Sequence, residues 1–281
     1  MTITLAPSNV TVGPINLTSQ EASGVAWIME TFTGWGASGV TLSPKQKTRA
    51  PGAWGGLSYS TQRTLVVTGT CVAPTPALAS DALDRLIDAC SLDDTVMTVS
   101  ESGRARWCTV RRDGDVIPVW IGATVFTWNV QLVAMDWRKF YTPITASTAL
   151  PSSSGGLTVP YTIPYTINAV QTSGQVSIVN PGNETGPVTM RIDGPCTGPV
   201  ITHVGSGLSL VFAASLSLGA GEWLDIDMEA HSVLAQGQST RAQWVTSRGW
   251  FGLEPGDNTF AFAAASYSPA LLTVTATPAD K

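Results

Sequence analysis

Residues Trp223-Leu224-Asp225-Ile226-Asp227-Met228-Glu229 alternate apolar and acidic side chains. In an extended strand this alternation puts three carboxylates on one face, adjacent ones about 6.5 to 7 Å apart. Such spacing suits an acid/base pair for sugar hydrolysis or part of a calcium shell. The simpler reading takes Leu224, Ile226, Met228 and Ala230 as the buried face, with the acids solvated opposite. The two histidines, His203 and His231, lie in no metal-ligand motif, and His203 falls within a strand pattern as a packed or surface side chain. Gly205-Ser206-Gly207 lacks the five-residue pattern and following helix of a nucleophile elbow and reads as a hairpin turn. No catalytic residue, cofactor site or metal site is expected.

Arg104, Arg106, Arg111 and Arg112 form the densest basic cluster, close to Asp113 and Asp115. Pairing across a hairpin, or with acids of a neighbouring subunit, explains them better than phosphate binding, which needs a broader patch. Ten tryptophans raise the question of sugar stacking. Trp35 and Trp54, flanked by glycines, are expected to be the exposed pair, and Trp223 and Trp250 are the candidates for glycan contact in the second half of the chain.

The elements that must carry these residues are mostly strands. Period-two runs recur at 65–67, 96–99, 106–112 and 125–135, the last with Phe126, Trp128, Val130, Leu132 and Ala134 on one face. Asp113-Gly114 predicts a two-residue hairpin joining 106–112 to a partner strand at 115–120. The one helix expected runs from Pro76 to about Cys90. Thr75 caps it, and Leu78, Ala82, Leu83, Leu86, Ile87 and Cys90 form its apolar stripe. Strand-like runs follow at 175–180, 188–193, 200–204, 209–213, 223–230, 258–263 and 271–277, separated by Gly and Pro turns, a pattern of a sandwich or jelly roll.

Between these halves, residues 146–168 combine Ser, Gly and three prolines with almost no charge. Pro160 and Pro164 favour an extended arm. The domains expected are therefore residues 1–147, a linker over 148–168, and residues 169–281. A chain of 281 residues can bury two cores of ordinary size.

Composition narrows the function classes. Charged residues make up 12% and apolar residues 43%, against roughly 25% charged in an average soluble chain. A surface so poor in charge suits burial against neighbouring subunits. The net charge of −5 with scattered basic residues lacks the footprint of a nucleic-acid binder. No membrane insertion is expected: the longest apolar stretch, 208–220, is broken by Ser209, Ser215, Ser217 and Gly219 and falls short of roughly 20 residues. Residues 1–10 alternate like a strand rather than a signal peptide. Cys71, Cys90, Cys108 and Cys196 have no zinc spacing and read as free thiols of a protein folded in a reducing cytoplasm.

Three segments, taken in order, resemble one family. The first is the turn Arg49-Ala50-Pro51-Gly52, then Arg63 and Leu65-Val66-Val67-Thr68-Gly69, then the single helix. The second is the strand from Phe126 to Asp136, where the family usually continues with proline and this chain has Trp137. The third is the set Asn180-Pro181-Gly182, Ile192-Asp193-Gly194-Pro195, Gly219-Ala220-Gly221-Glu222 and Leu253-Glu254-Pro255-Gly256-Asp257-Asn258. This ordered set is similar to the siphophage distal tail protein family, also called minor tail proteins, of the tail tip or baseplate hub. The resemblance implies a mainly β fold: an N-terminal belt domain with one helix, and a C-terminal galectin-like or jelly-roll β-sandwich of carbohydrate-binding type. It implies a non-enzymatic virion protein, assembled in the host cytoplasm, whose first domain forms a homohexameric ring hub at the distal end of a long non-contractile tail. The implied partners are its own copies, the major tail tube protein, the tail-tip protein and the tape-measure protein, with DNA only in transit. The alternative is a carbohydrate-binding module that attaches to host cell-wall glycan.

Overall fold

The computed structural model describes residues 9–154, 170–265 and 269–281. The chain divides into two units, meeting in sequence at Tyr141 and Thr142. This boundary lies upstream of the linker expected at 148–168. The reason is strand pairing: Ile144–Ala149 runs antiparallel to Leu271–Ala276, from Ile144 opposite Ala276 to Ala149 opposite Leu271, and so belongs to the second unit's sheet. Most of the expected linker, including Pro160 and Pro164, lies outside the described residues.

The first unit contains β1 (Asn9–Val12), β2 (Ile15–Asn16), β3 (Ala26–Thr33), β4 (Val40–Leu42), β5 (Lys45–Gln46), β6 (Ala53–Trp54), β7 (Ser58–Ser60) and β8 (Arg63–Val72). After helix α1 (Pro76–Ala89) come β9 (Thr95–Glu101), β10 (Arg104–Arg112), β11 (Ile117–Trp120), β12 (Val125–Ala134) and β13 (Lys139–Phe140). The main path of pairing is β2-β1-β9-β10-β12-β8-β3. β10 is the seam: residues 104–110 pair with β9, whereas only Arg111 and Arg112 reach β12.

Alternation decides which side chains meet in this unit's core. Val10 and Val12, Met97 and Val99, Cys108 and Val110, Leu65 and Val67, and Phe126 to Leu132 at every second position are all buried in one cluster. Helix α1 adds Ala79, Ala82 and Leu86 to it. Thr75 caps the helix as expected, its hydroxyl accepting from the Leu78 N–H. Of the expected apolar stripe, Ile87 instead faces solvent. Trp27 packs edge-on against Phe126 and Trp128, at 6.3 and 6.2 Å between ring centres. The Trp128 indole lies over Gly69, where a Cβ would come within 2.6 Å of the ring, so only glycine fits beneath it.

The hairpin expected at Asp113-Gly114 is not formed. β11 pairs with β12, Ile117 opposite Asn129 through Trp120 opposite Phe126, while β10 pairs with β9 around Ser102-Gly103. Two backbone facts explain the outcome. Pro118 has no N–H and suits an edge strand with one bonded neighbour, and Ser102 and Gly103, both at positive φ, satisfy the geometry of a tight hairpin turn.

Trp35 is the centre of a polar knot. It is buried, contrary to the exposure expected from its flanking glycines. Arg63, 1% exposed, donates through Nη1 to the carbonyls of Gly34, Trp35 and Gly36 at 3.0, 3.0 and 2.6 Å. Its Nη2 donates to the Trp137 carbonyl at 2.8 Å. Lys139 reaches the carbonyls of Trp35 and Gly36 at 3.3 and 3.2 Å. The guanidinium of Arg63 and the ammonium of Lys139 lie 5.9 and 5.7 Å from the Trp35 ring. Gly34 has φ +89°, and a Cβ there would meet the Thr64 carbonyl oxygen at 1.9 Å, so the turn that aims these carbonyls at Arg63 requires glycine.

The second unit contains β14 (Ile144–Ala149), β15 (Ser152–Ser154), β16 (Val170–Thr172), β17 (Gln175–Asn180), β18 (Val188–Asp193), β19 (Cys196–Thr197), β20 (Val200–His203), β21 (Ser209–Phe212), β22 (Ser217–Leu218) and β23 (Trp223–Asp227). It continues with β24 (Ser232–Ala235), β25 (Ser239–Thr240), β26 (Val245–Arg248), β27 (Gly256–Ala263) and β28 (Leu271–Ala276). Two antiparallel sheets, β14-β28-β18-β23-β24-β25 and β17-β27-β20-β21-β26, bury their inner faces in one cluster. Met190, Ile192, Leu224, Ile226, Leu272 and Val274 come from one sheet and Ile201, Leu210, Phe212, Phe260 and Phe262 from the other. This is the expected β-sandwich. The chain is mainly β in both units, with α1 its one α-helix among the described residues.

Outside the cores, directly opposed hydroxyls bridge neighbouring strands: Thr31 with Thr68 at 2.6 Å, Thr145 with Thr275 and Ser177 with Thr259 at 3.0 Å, and Thr202 with Ser209 at 2.8 Å.

Removing the guanidinium leaves several carbonyls without their donor while keeping the volume filled. Arg63→Met is therefore expected to lower unfolding free energy by about 3 kcal/mol, measured by urea denaturation of the full chain. An unchanged midpoint would show that the knot is dispensable.

Candidate functional site

The acidic strand resolves into local structure. β23 ends at Asp227, so Asp225 and Asp227 share its outer face while Glu229 falls in the turn beyond it. Met228 stays buried, but Ala230 is exposed, which corrects the expected alternation through residue 230. Asp225 accepts a hydrogen bond from the Trp223 indole N–H at 2.9 Å. Asp227 accepts from the backbone N–H groups of Glu229 and Ala230 at 2.9 and 2.8 Å. Both carboxylates are thus occupied with holding the strand end and the indole, and among the described residues no cluster of His, Cys, Asp and Glu could hold a metal ion.

Of the two tryptophans proposed for glycan contact, Trp223 is half-buried and held on two sides. Arg191 lies 4.4 Å from its ring centre, itself fixed by Asp193 at 2.9 Å. Trp250 lies flat against His231, with ring centres 4.8 Å apart and 17° between planes, and packs on the sandwich core. Its ring face is already occupied by the imidazole.

His203 is buried, its ring stacked 5.4 Å from Phe251 and tilted 5.3 Å from Phe260. Its Nε2 lies 3.0 Å from Asn258 Oδ1 and its Nδ1 2.8 Å from the Ser206 hydroxyl. Asn258 fixes the tautomer. Its Nδ2 donates to the carbonyls of Glu254 and Gly256, and its Oδ1 also accepts from the Glu254 N–H, so Oδ1 must face the histidine and Nε2 must carry the proton. Nδ1 is left to the Ser206 hydroxyl. The role is structural: it pins the β20–β21 hairpin at Gly205-Ser206-Gly207 to the start of β27.

Two arginines of the cluster pair with acids at the end of β9 and just before its start rather than with Asp113 or Asp115. Arg106 meets Glu101 at 2.6 Å, and Arg111 meets Asp94. Glu101 also accepts from the Trp35 indole N–H at 2.9 Å, which ties Arg106 to the polar knot.

A feature that residue patterns did not single out is a two-stage ribbon between Gly39 and Thr61. Among the described residues β4 pairs only with β7, and β5 only with β6, so the ribbon adds to neither main sheet there. It carries Val40, Leu42, Trp54, Leu57 and Tyr59, each between 59% and 71% exposed. The edge strand β11 and its turn present a second exposed apolar group, Ile117, Val119, Trp120 and Ile121. Short polar stretches and glycines mask the ribbon in sequence; the signal available was Val40, Leu42, Leu57 and Tyr59 without a helical or strand-core partner pattern.

Residues 182–277 match the family model described as a siphovirus-type tail component, C-terminal domain. The chain is similar in structure to the Dit (gp 19.1) protein of phage SPP1, described as a paradigm of the hub adsorption apparatus in phages that infect Gram-positive bacteria. The two are 13% identical, with a TM-score of 0.64 over 96% of this chain and 98% of that one. A chain of the phage p2 baseplate in its activated conformation with Sr is similar at 11% identity and a TM-score of 0.50, over 95% of this chain and 96% of that one. A search of curated protein sequences finds no match. At these identities the structural likeness is one of fold. The resemblance to siphophage distal tail proteins is borne out by the family match in the second unit and by the shared fold over nearly the whole chain.

The four cysteines are all free and buried, and burial pushes the thiols of Cys71, Cys90 and Cys196 up to about 11 and that of Cys108 to about 12. Thiols in apolar surroundings are poor nucleophiles. A thiol reagent at pH 8 should label none of them until denaturant is added. Because the folded values lie above the ordinary value of 9, the folded state holds these protons more tightly. Their contribution to stability is full below pH 9 and is lost as pH rises toward about 11 to 12. Rapid labelling of the native protein would contradict this burial.

Proposed function

We propose that the chain is a structural virion protein, a distal (minor) tail protein that forms a ring hub at the tip of a long non-contractile phage tail. The observation that carries the reading is the tail-component match over residues 182–277, on a chain whose first unit leaves apolar strand surface without a partner. In this reading the second unit is the outward sandwich, and the first unit makes the ring. The low proportion of charge fits a surface largely covered by neighbours.

The first unit offers two different unpartnered apolar surfaces, the ribbon from Val40 to Ser60 and the free edge of β11. A head-to-tail contact between unlike surfaces generates a ring when its rotation closes. Covering both also removes an edge-pairing hazard from β11, which Pro118 only partly blunts. The ring, homohexameric in this reading, would join the tube's major tail protein to the tail-tip and receptor-binding proteins and leave a channel for the tape-measure protein and, later, DNA. The net charge of −5 suits a lumen through which a polyanion slides.

Negative-stain imaging of the purified protein is expected to show rings with a central hole and peripheral lobes. Replacing residues 40–60 by a short Gly-Ser turn is expected to give monomers with both β sheets of the sandwich intact, since Gly39 and Thr61 already meet through a 2.8 Å backbone hydrogen bond. A wild-type protein that stays monomeric at high concentration and is missing from purified virions would overturn the proposal.

A further inference from the structure

On the second unit, Trp223 of β23, Glu222 just before it, the loop after β24 and the segment leading into β26 line a cavity of about 390 Å³. Its walls hold two indoles, Trp223 and Trp244, with the amides of Gln236 and Gln238, the guanidinium of Arg241 and the carboxylate of Glu222. We infer that this cavity is a saccharide-binding site that takes a neutral pyranose unit of an oligosaccharide. The inference is independent of ring formation.

The backbone around the cavity is fixed, whereas the polar side chains that line it are uncommitted. Gln236 sits at φ +52° with its N–H bonded to the Trp223 carbonyl at 3.1 Å. The N–H groups of Gln238 and Arg241 bond to Ala235 and Val233 at 3.0 and 2.9 Å, and that of Trp244 to Arg241 at 2.9 Å. Trp223 is held by Asp225 and Arg191, and Glu222 Oε2 accepts from the Gly219 N–H at 2.7 Å. The side chains of Gln236, Gln238 and Arg241, by contrast, make no hydrogen bond or ion pair among the described residues. Donors and acceptors are therefore carried on a fixed backbone frame, which confines the entropy of ordering to the side chains when a ligand arrives.

The chemistry of the walls selects the ligand class. An indole offers a flat apolar surface that matches the C–H face of a pyranose, and two amides offer paired donors and acceptors for vicinal hydroxyls. One carboxylate balances one guanidinium, so the cavity has no net charge to favour a phosphate or a carboxylate ligand. Its volume lies at the small end of ligand sites, which run from roughly 300 Å³ upward, and suits one or two sugar rings. Trp250, the other tryptophan considered for this role, does not line the cavity; Trp244 takes its place.

The test is isothermal titration of the full chain with cellobiose, lactose and N,N′-diacetylchitobiose, alongside glycerol 3-phosphate and tetra-alanine. At least one disaccharide is expected to bind with a Kd on the order of millimolar, weakened about tenfold or more by Gln238→Ala and by Trp244→Ala and unchanged by Trp250→Phe. Gln238 is exposed, so its variant keeps the test valid if loss of Trp244 disturbs packing. Binding of no disaccharide, binding of only the phosphate or the peptide, or wild-type affinity in Gln238→Ala would overturn the inference. Imaging the same variants for rings separates its failure from that of the tail-hub reading.

Discussion

The geometry of the first unit depends on one buried cation. Arg63 opens β8 and turns its guanidinium onto four backbone carbonyls, three from the Gly34–Gly36 turn and one from Trp137. Burial pulls its pKa down from the ordinary value, with Arg106 adding to the effect, and the carbonyl dipoles stand where a carboxylate usually would. The turn it holds is the root from which the ribbon at residues 40–60 departs, and Thr61, where the ribbon returns, lies two residues before Arg63. Trp137 and Lys139 lie just ahead of the point where the chain passes to its second unit. One side chain thus ties the base of the exposed ribbon to the segment that ends the first unit.

In the second unit the corresponding constraint is strict alternation along β23. Leu224 and Ile226 go into the core, which forces Trp223, Asp225 and Asp227 outward together. Once outside, the acid next to the indole takes its N–H, and the acid at the strand end caps the following turn. Of the carboxylates that looked most like chemistry in the sequence, Asp225 holds a tryptophan in place and Asp227 holds a turn. The cavity with uncommitted polar groups is lined by that tryptophan, by β22 and by the loop after β24.

Strands that feed the cores were legible because both of their faces are informative. Those at 175–180 and 188–193 coincide with β17 and β18, and the apolar side of β12 is the one expected from its period. Elements that bury little were not legible. β24, β25 and β26 contribute few core residues, and the ribbon contributes none, so hydrophobic period could not reveal them. Trp35 was misjudged because flanking glycines suggest a loop, whereas here Gly34 lets a turn fold inward onto a cation supplied by Arg63, distant in sequence. The Asp113-Gly114 hairpin failed for a similar reason: the local turn signal was sound, but β9 and β12 already held the bonding edges of β10. Trp244 escaped notice because no strand pattern surrounds it.

The paired hydroxyls along the strand faces carry a consequence of their own. The outward hydroxyl pairs that bridge strands in both units, such as Thr31 with Thr68 and Thr145 with Thr275, are made by groups that bear no charge at any ordinary pH. Mobile ions screen charges, not hydroxyl dipoles at contact distance. These cross-strand contacts therefore hold alike in dilute and concentrated brine, whereas the exposed ion pairs, such as Arg111 with Asp94, weaken as salt rises.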